Sequence, residues 1–311
     1  MADLSIQLAP RHPKGLLLDN PIITASGTFG YGDEYSELVD IQRLGAIICK
    51  GTTLKPRDGN PQPRLIETAS GLLNSVGLEN IGVDAVIKHK APLWAKWSVP
   101  VIVNIAGATI DEYKEVAGRL EGVPGVSALE VNISCPNVSA GGIEFCASAR
   151  SAAAVTEKVK SASTLPIIVK LSPNVTDILE IASAVTDAGA DAITLINTVR
   201  GMAIDIKKRR PSLGNNFGGL SGPAIKPIAL YVVYKVASVL DIPIIGCGGI
   251  SSGEDAVEFM LAGASAVQVG TANLTNPGAA LDVLGGIEQF MKKSGTPSLK
   301  AIIGKAQSEG K

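Results

Sequence analysis

Polar side chains close several otherwise apolar runs in this sequence, and its chemistry is concentrated there. Lys50 follows AIIC, Asn104 follows VIV, Asn132 follows LEV, Lys170 follows PIIV, and Asn197 with Thr198 follows TLI. One polar residue at a strand end meets solvent and needs no function. Several converging on one mouth differ, because burying unpaired ammonium or amide groups is costly unless a ligand satisfies them. Such a set suits a polar, planar ligand. The runs GCGGISSGEDA and GTANLTNP place Gly248, Gly249, Gly270 and Thr271 just after two further apolar stretches. Glycines let backbone N–H groups approach an anion, and a following helix N-terminus favours it, so a phosphate is the expected occupant. Tight turns alone are the plainer alternative. GCGG is not G-x-G-x-x-G, so a dinucleotide held by this chain is not expected.

Cys135, in NISCPN, is the candidate general base. It precedes Pro136 and Asn137 at a strand mouth, whereas Cys49 and Cys247 fall inside apolar strands as small core residues and Cys146 opens a helix. The only histidines, His12 and His89, lie away from any expected strand C-terminus. Lys50 and Lys170 could serve either a phosphorylated sugar or a flavin. A flavin explains more, because its reduced ring carries negative charge that a nearby ammonium stabilises. Lys170 is the candidate for that role, and Lys50 for a bridge between flavin and substrate.

The elements that must position these residues repeat. Eight short β-branched runs, PIITAS from Pro21, AIICKG from Ala46, PVIVNIAG from Pro100, ALEVNIS from Ala128, PIIVKLS from Pro166, AITLINT from Ala192, IPIIGCGG from Ile242 and AVQVGTA from Ala266, suit strands buried on both faces. Helical spacing recurs between them, at Asp111 to Leu120, Ala147 to Lys160, Asp177 to Ala188, Ala224 to Leu240 and Glu254 to Ala262. Strand then helix, eight times, predicts one α/β domain over residues 1–311: a (β/α)8 TIM barrel with extended βα loops and an N-terminal extension. An open doubly wound sheet gives the same alternation. Two intervals, Ala46 to Pro100 and Ala192 to Ile242, are far longer than ordinary connections and belong to the active-site face of a barrel. CPNVSAGGIEF reads as a glycine-rich lid, and KKRR at Lys207 to Arg210 as a solvated loop face.

With 46% hydrophobic residues, 4% aromatics and a formal net charge of -1, the chain offers no basic footprint for nucleic acid. No apolar run is long enough to span a bilayer, and MADLSIQLAPRHP lacks a signal-peptide pattern, so a soluble, cytoplasmic protein is expected. The four cysteines contain no C-x-x-C, which supports neither disulfides nor a metal or iron-sulfur site on this chain.

The motifs ASGTFGYG, CKGTTLKPRDGNPQPR, NSVGL, NISCPN, VKLSPN, INTVRGMAID, GGLSGPAIKP, GCGGI and VGTA together resemble those of the dihydroorotate dehydrogenase family over nearly the full length. INTVRGMAID and GGLSGPAIKP are most similar to type 1B catalytic subunits. The resemblance implies an FMN flavoprotein, an oxidoreductase of pyrimidine biosynthesis that converts dihydroorotate to orotate. It also implies a homodimer of this chain within a heterotetramer, whose partner subunit carries FAD and a 2Fe-2S cluster and reduces NAD+. The membrane-associated type differs, with a hydrophobic N-terminal extension and serine at the position of Cys135.

Carried over by motif, Ser26, Lys50, Gly51, Asn104, Asn132, Lys170, Ile196, Gly222, Gly248, Gly249, Gly270 and Thr271 would contact FMN. Lys50, Asn74, Ser75, Val76, Gly77, Leu78, Asn132, Asn197 and Thr198 would contact substrate. Cys135 would remove the substrate proton. Because an ordinary thiol is only a few per cent ionised at neutral pH, the rate should rise toward alkaline pH. The alternatives are a type 1A homodimer using fumarate, a phosphosugar aldolase or isomerase with Lys170 as Schiff-base lysine, and a phosphate-ligand binding module.

Overall fold

The computed structural model describes residues 2–134, 136–137 and 143–310. The eight expected runs form strands β1 (Ile22–Thr24), β2 (Ala46–Ile48), β3 (Val101–Ile105), β4 (Ala128–Asn132), β5 (Ile167–Leu171), β6 (Ala192–Leu195), β7 (Ile244–Cys247) and β8 (Ala266–Val269). Each pairs in parallel with its neighbour in sequence, and β8 returns to β1, closing the barrel. Closure removes the open-sheet alternative.

Around it lie α1 (Ile110–Leu120), α2 (Ala149–Ala162), α3 (Ile178–Asp187), α4 (Lys226–Ala237), α5 (Gly253–Ala262) and α6 (Ala279–Ser294). Four of them start where a side-chain oxygen satisfies an orphan N–H: Thr109, Ser148, Asp177 and Ser252 cap α1, α2, α3 and α5. The β1–β2 connection departs from the expected plan. It holds only 3-10 turns, Asp33–Tyr35 and Ile41–Arg43, because Gly30 and Gly32 take positive φ just before the segment could wind. Between β2 and β3 the helical stretch is a π turn, Val86–Lys90, flanked by short α turns.

Side-chain alternation divides the barrel interior into layers. Outward residues such as Val103, Leu129, Val169, Ile193 and Val267 join the helices in the main apolar core. Inward residues Ile102, Ala128, Ile168, Ala192 and Ala266 form the barrel floor together with Ile6, Leu8, Leu16 and Leu18 of the N-terminal segment. There Ile6–Gln7 pairs antiparallel with Leu17–Leu18, so the N-terminal extension plugs the end opposite the long loops. Two residues further along each strand, the inward positions are Asn104, Glu130, Lys170, Thr194 and Gln268, all buried and all polar.

The two long connections meet each other. Val199–Gly201, Gly218–Ser221, Gly71–Asn74 and Leu65–Thr68 form a four-stranded antiparallel sheet in that order, joining the loop after β6 to the loop after β2. Among the described residues, no helix is long and apolar enough to cross a membrane.

Candidate active site

The polar layer is a connected network. Lys170 Nζ donates to Gln268 Oε1 at 2.9 Å, and Gln268 Nε2 donates to Glu130 Oε2 at 2.6 Å. Thr194 Oγ1 donates to the same carboxylate oxygen at 2.9 Å, while Asn104 Nδ2 donates to Glu130 Oε1 at 2.7 Å. Glu130 is 0% exposed, and its two carboxyl oxygens are satisfied by three side-chain donors. Burial works against the Lys170 ammonium, but Cys247 and the Glu130 carboxylate outweigh it and the net displacement is upward. Lys170 therefore stays protonated. Burial pushes the Cys247 thiol up as well, more than Lys170 pulls it down.

Above this layer lies a cavity of about 1110 Å³, lined among others by Lys50, Asn104, Asn132, Lys170, Asn197 and Thr198. The polar strand-end set thus converges on one volume. Asn197 Nδ2 donates to Asn132 Oδ1 at 3.2 Å and to Ser134 Oγ at 3.0 Å, and the Asn132 carbonyl accepts from Tyr113 Oη at 2.6 Å. Asn174, absent from the expected set, bridges Ser172 Oγ and the Thr198 carbonyl through its Nδ2 at 3.0 and 3.1 Å. Lys50 Nζ stands 3.8 Å from Glu79, which Arg64 also engages at 3.0 Å. Asn74, Ser75, Val76, Gly77 and Leu78 line the same cavity, and Asn74 Nδ2 donates to the Gly219 carbonyl across the loop sheet at 3.1 Å.

Ser26, Gly51, Ile196, Gly222, Gly248, Gly249, Gly270 and Thr271 line the same cavity. Gly249 has φ +74, and a Cβ there would lie 2.7 Å from the Lys226 Cβ and 2.9 Å from the Gly222 carbonyl oxygen. Only glycine lets these two loops close together. The helix-dipole part of the phosphate expectation needs correction. Asp255 Oδ2 accepts from Ser251 N at 2.9 Å and Ser252 N at 3.0 Å, so the α5 N-terminus is capped by its own carboxylate, and the helix after β8, Ala272–Thr275, is a single turn.

Two further expectations change. Cys247 is not a plain core residue: it lines the cavity, 9% exposed, with its Sγ 3.8 Å from Lys170 Nζ. Cys49 does sit wholly buried, its thiol pushed up to about 12 by burial, and Cys146 is buried in a 3-10 turn ahead of α2. Cys135 and residues 138–142 lie outside the described residues, so the expected base and most of the expected lid do too. Their flanks, Pro136–Asn137 and Ile143–Glu144, pair antiparallel, and Ser134, next to Cys135, lines the cavity. Lys207 to Arg210 close a ribbon between Ile204–Asp205 and Arg210–Pro211 away from the cavity wall.

Comparison with known proteins bears on this arrangement. A family model described as dihydroorotate dehydrogenase matches residues 11–291. The chain belongs to the dihydroorotate dehydrogenase family. A relative from Desulforamulus reducens is 57% identical over 287 residues, covering 92% of this chain and 94% of its own. One from Desulforudis audaxviator is 54% identical over 296 residues, 95% and 96% of the two chains, and one from Geobacter sulfurreducens is 54% identical over 302 residues, 97% of each. Each of the three is named dihydroorotate dehydrogenase B (NAD(+)), catalytic subunit.

Membership in this family implies FMN, and the cavity residues fit it. Asn104 Oδ1 is buried with no hydrogen-bond partner among the described residues, and the buried Lys170 lines the same cavity. An orphan acceptor and a buried cation facing one cavity call for a ligand edge that both donates and accepts. Gly222 and Gly249, both at positive φ, bring backbone rather than side chains to the cavity lining beside Thr271, the kind of surface a phosphate can approach.

Proposed function

We propose that this chain is the catalytic subunit of a type 1B dihydroorotate dehydrogenase, a cytoplasmic flavoprotein that oxidises dihydroorotate to orotate in pyrimidine biosynthesis. The observation that carries the reading is the buried polar layer, Lys170 and Asn104 above all, opening onto a cavity ringed by asparagines. Bound FMN would supply the acceptor for the hydride that leaves the substrate. Asn104, Lys170 and the Gly222–Gly249 wall would hold it.

The chain's own residues do the rest. Lys170 presents a permanent positive charge to the cavity, where the field of an ammonium in a water-poor site is strong. Asn132 and Asn197 give up their mutual hydrogen bond to grip a planar pyrimidine, and Asn74 and Thr198 complete its orientation from the loop side. Cys135, one residue beyond the cavity-lining Ser134, takes the proton from the carbon next to the one that loses hydride. Nothing on this chain resembles a dinucleotide fingerprint, which supports electron exit through a partner subunit carrying FAD and a 2Fe-2S cluster, in a heterotetramer built on a dimer of this chain.

The Schiff-base reading for an aldolase loses its support, because such a lysine needs a depressed pKa and Lys170 is shifted upward. The test is anaerobic mixing of the FMN-loaded protein with dihydroorotate. The flavin absorbance should bleach with formation of orotate, and Cys135→Ala should keep FMN but slow bleaching by roughly 100-fold or more. No bleaching of the wild-type protein would overturn the activity, and unchanged kinetics in the variant would overturn the role of Cys135.

A further inference from the structure

Hydrogen bonds in the barrel layer converge on Glu130, and the partners at each step fix which group donates. An ammonium can only donate, so Gln268 must turn its carbonyl oxygen to Lys170 and its amide nitrogen to Glu130. Glu130 accepts from Gln268 and Thr194 on one oxygen and from Asn104 on the other, so Asn104 turns its nitrogen to Glu130 and leaves its oxygen without a partner among the described residues. The two obligate groups, Lys170 at one end and Glu130 in the middle, therefore remove the choice that every side-chain amide otherwise has. Asn104 lines the cavity, so the layer offers one fixed acceptor and one fixed donor to whatever lies above it.

We infer that Glu130 is a positioning residue for the flavin site: it locks the Asn104 amide so that its oxygen meets the one ring N–H of oxidised FMN. This rests on the FMN reading above and adds a residue that touches no ligand. The flavin ring has an imide edge, a single N–H flanked by carbonyl acceptors, and only the acceptor orientation of Asn104 matches that N–H.

The consequence of Glu130→Gln follows from the same chain of donors. Gln268 still points its nitrogen at residue 130, and Thr194 still donates there, so the new amide must turn its oxygen toward them. Its nitrogen then faces Asn104, which has to accept and so rotates its own nitrogen into the cavity. The substitution inverts the site rather than merely loosening it. The pair Asn104→Asp with Glu130→Gln reverses the inversion. Aspartate accepts from the new amide with one oxygen and offers the other to the cavity, while the buried negative charge is conserved.

The experiment is titration of FMN-free protein with FMN, read by quenching of flavin fluorescence, with thermal melting to establish folding. Glu130→Gln should weaken FMN binding by about tenfold or more, the scale of one buried unpaired polar contact. The double variant should recover to within about threefold of wild type. A merely structural Glu130 predicts a double variant at least as poor as the single one, and that result would overturn the inference, as would unchanged binding by Glu130→Gln. Should Glu130→Gln fail to fold, the charge-conserving double variant decides alone: wild-type-like affinity supports the lock and a loss beyond about tenfold removes it. A wild-type protein that bound no FMN would instead overturn the cofactor assignment, and the inference with it.

Discussion

Lys170 is 4% exposed and yet charged, a combination that survives because Gln268 and Cys247 contact its ammonium and Glu130 compensates it through one intervening amide. A group whose folded pKa is raised contributes stability that is complete below its unfolded value, about 10.4 for lysine, and is lost only as pH rises through the higher folded value. FMN affinity should therefore be flat from about pH 7.5, where the phosphate of FMN is already fully ionised, to about pH 9, and a fall within that window would contradict a permanently charged Lys170. Lys170→Met should slow flavin reduction by dihydroorotate by roughly 100-fold, in line with losing one preorganised charge; stopped-flow absorbance measures it, and an effect below about threefold would remove Lys170 from the chemistry. The sequence exposes Lys170 and Asn104 because a lysine or an asparagine interrupts an apolar run. Glu130, Thr194 and Gln268 interrupt their runs just as plainly, but a strand buried on both faces carries no alternation to say which side is inward. Only barrel closure assigns that parity, which is why the one carboxylate of the layer escapes a reading by residue type.

Elements are more legible. All eight strands fall where β-branched runs sit, and α1, α2, α3 and α5 begin within two residues of the expected starts because Thr109, Ser148, Asp177 and Ser252 provide caps. The α1–α2 pair is tied at its C-terminal ends by Glu121, whose carboxylate accepts from Ser163 Oγ and Thr164 N, both at 2.7 Å. The Thr164 and Ser163 side chains, with the Thr164 amide, hold its pKa down to about 2. For a depressed carboxylate the sign is opposite to that of Lys170. Its contribution is present above the unfolded value, about 4.3, and disappears as pH falls through the folded one. Glu121→Gln should lower the urea midpoint at neutral pH, and the gap from wild type should close between about pH 4.3 and about pH 2. A gap that stays constant over that range would show that the carboxylate's ionisation is not what holds the two helices.

On the scale of the whole molecule, the barrel separates duties: an apolar plug at one end, a charged layer in the middle, and loops at the other. Alone, the FMN-loaded chain should reduce NAD+ at least about 100-fold more slowly than with a partner subunit restored; steady-state NADH absorbance measures this, and equal rates would overturn the type 1B reading. What the sequence withholds at this scale is the pairing of Asn74 with Gly219, residues with no local pattern linking them.

That pairing joins loops that leave β2 and β6, strands opposite each other in an eight-membered ring. Neither loop can find the other until the ring is nearly complete, because pairing across so much chain must first overcome its closure entropy. The loop wall of the cavity should then be the last part of the molecule to fold and the first to open. Amide exchange should be slow in the barrel strands and much faster in Gly71–Asn74 and Gly218–Ser221, until cofactor and pyrimidine clamp both loops.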